Sequence, residues 1–246
     1  HLAVGTEGIQ IMTIEERISA VRESIAAACA RSGRQESEIK LIAVTKTRTP
    51  EEINKAISCG IKDIGENRVQ ELCEKIDFID KSANIHLIGA LQTNKVKYII
   101  DKVCMIHSLD RISLAEEIEK QAQKRQISPV KVLIEVNIAG EETKSGVLLN
   151  NLPDFLDILT NFRYINPVGL MTVAPAWADE TMQAHCFEQM RELLIKGQAV
   201  FGKSFSELSM GMSRDYFSAI EHGATMVRIG TSIFGERDYN GYAKQG

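Results

Sequence analysis

From residue 13 onward the chain alternates between two hydrophobic rhythms. Ile14, Ile18, Val21 and Ile25 recur at helical spacing, with Thr13 placed as an N-cap, Glu16 at the capping-box position and Gly33 as the stop. The pattern predicts an amphipathic helix over 13–32. Short β-rich runs follow at LIAVTK (41–46), DIGEN (63–67), HLIGAL (86–91), MIHSLD (105–110), VKVLIEVN (130–137), PVGLMTV (167–173), ELSMGMS (207–213) and TMVRIGTSIF (225–234). Between them, helical patterns open at Pro50, Val69, Asn94, Ile112, Asn151, Asp179 and Asp215, and several close on glycine, as at Gly60 and Gly223.

Eight β runs alternating with helices predict an α/β fold, a single (β/α)8 TIM barrel over residues 12–246 with an extra N-terminal helix. An open doubly wound sheet is the alternative. Polar residues favour the barrel, because they gather at or just after strand C-terminal ends: Lys46, Glu66 with Asn67, Gln92 with Asn94, Asp110, Asn137, Met171-Thr172, Ser213, and Arg228 to Thr231. In a barrel those ends converge on one mouth, where the chemistry of this fold takes place.

Composition narrows the function classes. The 246 residues are 44% hydrophobic and 25% charged, as in a soluble globular protein. A net charge of −4, with both signs interspersed, gives no electrostatic footprint for nucleic acid. Five cysteines, odd in number and without a C-x-x-C pair, read as reduced, mostly buried thiols of a cytoplasmic protein. The opening HLAVGTEGIQI lacks the basic start and continuous apolar stretch of a signal peptide, and no later segment approaches a membrane span. Residues 1–11 are set aside as a non-native or disordered extension ahead of Met12.

Candidate chemistry concentrates in residues 207–235. One strand there delivers Gly211 and Ser213 to the start of a helix, and the next delivers Gly230 and Thr231, so small residues, hydroxyls and backbone N–H groups meet around one point. Such a cluster cradles a phosphate, although Ser213 alone reads equally as a helix N-cap and Gly230-Thr231 as ordinary strand-end punctuation. Arg228, inside an apolar strand, requires a designed acceptor: a neighbouring-strand carboxylate, or a ring nitrogen or phosphate in the mouth. Lys46 ends the first β run, either as the first solvated residue or as a nucleophile at the mouth. His86, His107, His185 and His222 show no metal-ligand spacing, and no Walker loop, G-x-S-x-G elbow or G-x-G-x-x-G is present. A lysine at one strand end and a phosphate cradle at two others suit a ligand with an aldehyde at one end and a phosphate at the other. Pyridoxal 5′-phosphate (PLP) is the common molecule of that description, and a desolvated lysine can form a Schiff base with its aldehyde.

The segments AVTK (43–46), IGENRVQE (64–71), HLIGALQTNK (86–95), HSLD (107–110), VNIAGEETKSG (136–146), VGLMTV (168–173), LSMGMSRD (208–215) and MVRIGTSIFG (226–235) resemble, in order and over nearly the whole chain after Met12, the pyridoxal phosphate homeostasis protein family. That family is similar to the barrel domain of alanine racemase and to fold-type III PLP enzymes. The resemblance implies that Lys46 forms the internal aldimine, that Ser213, Gly230 and Thr231 hold the phosphate, that Arg228 faces the pyridine nitrogen, and that Asn67 lies beside the ring with Met171 as a packing contact. Thr45 stands where the family frequently has Ser, and Ala90 where it frequently has Pro.

An arginine at the pyridine nitrogen disfavours protonation there and makes the ring a weaker electron sink. In the racemases a tyrosine from an additional domain supplies the second acid or base; Tyr216, Tyr239 and Tyr242 do not match it by motif, and the chain leaves no room for that domain. The expectation is therefore a monomeric carrier that buffers PLP or delivers it to PLP-requiring apoenzymes. The alternative is a PLP-dependent amino-acid racemase or other weak PLP enzyme.

Overall fold

The computed structural model of the protein describes residues 11–236. The predicted first helix is α1, Ile14–Ser32, and its ends are built as the residues dictate. Thr13 Oγ1 accepts from the Glu16 N–H at 3.2 Å, and Glu16 Oε2 accepts from the Thr13 N–H at 2.8 Å. Gly33 closes it at φ 68°, a left-handed conformation that glycine adopts without a Cβ penalty. Ile18, Val21 and Ile25 are buried, and the helix packs on the last two helices among the described residues, Tyr216–Glu221 and Thr231–Phe234.

The strands are β1 (Lys40–Val44), β2 (Asp63–Glu66), β3 (Asn84–Leu87), β4 (Met105–Leu109), β5 (Val130–Asn137), a two-residue β6 (Val147–Leu148), β7 (Ile165–Met171), β8 (Glu207–Ser209) and β9 (Met226–Ile229). All pairings are parallel. With β6 left aside as a short addition on β5, the other eight form a ring, β1-β2-β3-β4-β5-β7-β8-β9, closed by β9 against β1. The closing register sets Ile42 opposite Arg228 and Ala43 opposite Ile229. This is a (β/α)8 barrel, and the doubly wound alternative is excluded by that closure.

The helices between strands are α2 (Pro50–Ser58), α3 (Val69–Lys75), α4 (Val96–Ile99), α5 (Ile112–Arg125), α6 (Leu152–Leu159), α7 (Glu180–Phe201), α8 (Tyr216–Glu221) and α9 (Thr231–Phe234). Two expectations are corrected. TMVRIGTSIF is not one strand: β9 stops at Ile229, and Thr231–Phe234 is helix, because Gly230 at φ −112°, ψ −76° turns the backbone out of the extended region. ELSMGMS is strand only to Ser209, and Ser213 lies in the loop beyond.

The core has two parts. Outward strand residues such as Ala43, Ile64, Leu208 and Val227 pack against the helices. Inside the ring, Ile42, Met105, Leu133, Val168, Met171 and Met226 form a separate apolar plug. The interior also holds buried Asp63, His86, His107, Ser209 and Arg228, an unusually polar filling for a barrel.

Candidate functional site

Lys46 lies two residues beyond β1, half-buried, in a segment held from one side by α3. The Lys75 ammonium is 2.8 Å from the Thr45 carbonyl, 3.3 Å from the Arg48 carbonyl, 2.6 Å from Glu66 Oε1 and 2.8 Å from Glu71 Oε1. Glu71 Oε1 also accepts from the Thr47 N–H, and Glu66 Oε1 accepts from the Thr45 hydroxyl. Thr47 needs this support: its φ of 63° is costly for a β-branched residue. The backbone on both sides of Lys46 is thus clamped by one buried cation and two carboxylates. Glu66 was expected at the mouth. It points instead away from it, towards α3, fully buried, and burial raises its pKa while Lys75 and Thr45 oppose the rise.

On the other side Arg48 donates to the Gly235 carbonyl at 2.6 Å and lies over the Phe234 ring. The lysine-bearing segment is therefore tied directly to α9. Between them, a Cβ added to Gly230 would lie 3.4 Å from Val44 Cβ, which places the strand-end glycine beside the last residue of β1. The Ser213 hydroxyl accepts from the Ser232 N–H at 3.4 Å, joining the loop after β8 to the first turn of α9. Ile233 and Phe234 of that turn donate to the Gly230 carbonyl at 3.0 and 2.9 Å, so only the Thr231 and Ser232 N–H groups lie outside the helix's own bonding. Ser213, Gly230 and Thr231, predicted together, are together.

Arg228 is 3% exposed and satisfies its need for acceptors through Ser209 Oγ at 2.6 Å and the Thr172 carbonyl at 3.0 Å, with no carboxylate within ion-pair distance among the described residues. Burial lowers its pKa to about 10, against the opposing charges of Asp215 and Glu135. Asn67, at the end of β2, keeps a buried Oδ1 without a hydrogen-bond partner among the described residues. Gly89 lies close against its backbone, where an added Cβ would fall 2.3 Å from the Asn67 carbonyl oxygen. Met171 is at the top of β7 within the apolar plug.

Other expectations fare differently. Gln92 and Asn94 are exposed, and Gln92 occupies the cap position of a short 3-10 turn without a side-chain bond. Asn137 bonds its own loop through the Glu141 and Lys144 carbonyls. Cys29 and Cys186 are buried, Cys59 and Cys73 half-buried and Cys104 exposed, all as free thiols. Tyr216 is half-buried at the start of α8, whereas Tyr239 and Tyr242, like residues 1–10, lie outside the described residues. The sequence gives Lys75, Glu71, Ser209 and the buried His86 and His107, 2.9 Å apart, no role in the site. The one local signal for Lys75 is its spacing of four from Glu71 on a helix.

Comparison with known proteins agrees with this fold. The family profile described as alanine racemase, N-terminal domain, matches residues 17–238. The chain is 47% identical over 225 residues to the pyridoxal phosphate homeostasis protein of Aquifex aeolicus (strain VF5), covering 91% of this chain and 98% of that one. It is 39% identical over 233 residues to the protein of that name from Pasteurella multocida (strain Pm70), covering 93% and 100%. Among solved structures, PipY of Synechococcus elongatus PCC7942 with PLP bound superposes with a TM-score of 0.78 at 30% identity, covering 91% of this chain and 100% of that one. With a closed barrel, a lysine at the first strand's mouth and a hydroxyl- and glycine-lined cup at the last two, the chain belongs to the pyridoxal phosphate homeostasis protein family.

Proposed function

We propose that this protein binds pyridoxal 5′-phosphate through Lys46 and holds it for intracellular homeostasis of the cofactor. One observation carries the reading: β1 and β9 are ring neighbours, so the loop bearing Lys46 and the turn bearing Gly230 and Thr231 leave the same edge of one mouth and are bridged by Arg48. The residues fit the ligand. Asn67 offers a buried oxygen without a hydrogen-bond partner among the described residues, and the start of α9 with Ser213 offers a compact, half-buried cup for an anion. When bound, PLP supplies an aldehyde that condenses with an amine, releasing water.

The chain's own groups then have separable tasks. Lys46 is the amine. Ser213, Gly230 and Thr231 hold the phosphate. Arg228 donates to the ring nitrogen while keeping its own proton, since even a pKa of about 10 leaves it charged at neutral pH. Asn67 lies beside the ring, and Met171 belongs to the apolar floor beneath it. Amino acids and PLP-requiring apoenzymes are the partners this role implies, and a cytoplasmic monomer is its simplest setting. Among the described residues no helix is long and apolar enough to cross a membrane.

The test uses the purified full chain. After incubation with PLP, borohydride is expected to bleach the yellow colour by reducing the Schiff base to a stable secondary amine, leaving a phosphopyridoxyl group on the peptide containing Lys46, and Lys46→Ala is expected to abolish the adduct. An adduct at another lysine, or none, refutes the assignment. Lys46-dependent racemisation of single L-amino acids at enzymatic rates would replace the carrier role with catalysis.

A further inference from the structure

Beneath the mouth, a continuous line of buried side chains runs through the barrel interior. Arg228 Nη1 donates to Ser209 Oγ at 2.6 Å. Ser209 Oγ is 3.1 Å from His107 Nδ1, His107 Nε2 is 2.9 Å from His86 Nδ1, and His86 Nε2 is 2.9 Å from Asp63 Oδ1. These groups come from β9, β8, β4, β3 and β2, and all are buried. The Ser209–His107 bond crosses the lumen, since β5 and β7 separate β4 from β8 in the ring.

The chemistry of the groups fixes the direction of the chain. A guanidinium only donates, so one lone pair of Ser209 is taken by Arg228. The Ser209 hydroxyl proton, in a fully buried residue, goes to His107 Nδ1. A neutral imidazole with a bare Nδ1 carries its proton on Nε2, which donates to His86 Nδ1. His86 in turn donates from Nε2 to the Asp63 carboxylate, which also accepts from Asn84 at 3.2 Å. Burial first, and then the charges of Arg228 and Lys40, keeps His107 well below the ordinary imidazole range and therefore neutral. Burial raises the Asp63 pKa, but the interactions with His86, Lys40 and Asn84 together outweigh it and leave the carboxyl below its usual value. Each donor along the line thus points from Arg228 towards an ionised Asp63.

We propose that Ser209 and His107 are positioning residues for Arg228, a directional relay that stops the guanidinium from turning and presents its remaining N–H groups to the mouth. The inference rests on Arg228 facing the ring nitrogen of bound PLP. It deepens that assignment: an arginine anchored at Ser209 and at the Thr172 carbonyl stays a fixed donor, which keeps the ring nitrogen unprotonated and suits a ligand that is to be held rather than activated.

Two readouts test it. In cofactor-free protein labelled with 15N-histidine, His107 is expected to show a bare Nδ1 and a protonated Nε2, unchanged on acidification well below the ordinary imidazole pKa; a protonated Nδ1 or an ordinary titration overturns the direction. For PLP binding followed by absorbance, Ser209→Ala and His107→Leu are expected to weaken affinity by about tenfold, the worth of one lost hydrogen bond, and to move the pH profile of the bound chromophore. His107→Asn, which retains an acceptor towards Ser209, is expected to recover most of both effects. Thermal melts of the cofactor-free variants separate misfolding from the effect, and if His107→Leu fails to fold, Ser209→Ala and the imidazole spectra still decide. If Arg228→Gln alters affinity and spectrum while folded Ser209→Ala leaves both unchanged, the relay is refuted. If Arg228→Gln itself changes neither, the ring-nitrogen assignment fails instead.

Discussion

Lys75 shows how much of Lys46 is made by its neighbours. Glu66 is fully buried 2.6 Å from the Lys75 ammonium, so Lys75→Met strands a carboxylate in the shell between barrel and helices. The expected cost is about 3–5 kcal/mol, read from urea midpoints at neutral pH, with part of it recovered in the double variant carrying Glu66→Gln. Because the same ammonium binds the carbonyls flanking Lys46, the folded fraction of Lys75→Met is also expected to take up PLP more weakly. Glu135 makes a second prediction. It follows Leu133 of the apolar plug by two positions in β5, and burial followed by the charge of Asp110, against that of Arg228, raises its pKa to about 7. The folded chain therefore keeps this proton up to about pH 7, while an unfolded glutamate releases it near about pH 4.3. The native state binds more protons in that window, so this group's contribution to stability declines as pH rises through it. Glu135→Gln is expected to match the parent near about pH 4 and to exceed it by about 1–2 kcal/mol near about pH 8; parallel pH–stability curves would contradict this. Lys46 and Ser213 were legible because a charged or hydroxyl residue directly after an apolar run is a local signal. Lys75 and Glu135 carry no such signal, since each sits where a solvated helix end or an alternating strand would also place it.

Elements were legible where their ends are written in short-range chemistry. The capping box of α1 is such an end, and Thr13→Ala is expected to cost about 1 kcal/mol, measured as a lower thermal midpoint with unchanged PLP uptake. Pro50 with Thr49 and Glu52 repeats the device at α2, where Thr49 accepts from the Glu52 N–H. The boundary between β9 and α9 was missed for a definite reason. MVRIGTSIF is apolar at strand and helix spacing alike over so short a run, and only the backbone angles at Gly230 part the two. That misplacement falls on the proposed cup, where Thr231 and Ser232 open α9 with N–H groups that the Gly230 carbonyl does not take.

The barrel as an assembly depends on joining its first and last strands. Truncation after Gly223 removes β9 and α9 and leaves β1 and β8 with open edges. The truncated chain is expected to lose cooperative urea unfolding and near-UV circular dichroism, whereas a fragment that retained both would show that ring closure is dispensable. Closure also brings residues 46 and 228–231 to one mouth from opposite ends of the sequence, and it threads Arg228 to Asp63 through side chains of five strands.

Local chemistry alone was enough to set the alternation of strands and helices, the caps of α1 and α2, the parallel α/β class and the lysine and hydroxyl residues at strand ends, because periodicity and capping act over a few residues. Folding decided which way each remaining polar group faces. Glu66 turned outward to Lys75, His86 and His107 met inside the ring, and Arg228 found Ser209 rather than a carboxylate. Those outcomes depend on strand register and ring closure, and a one-residue shift in either would send the same side chains to the opposite face of the sheet.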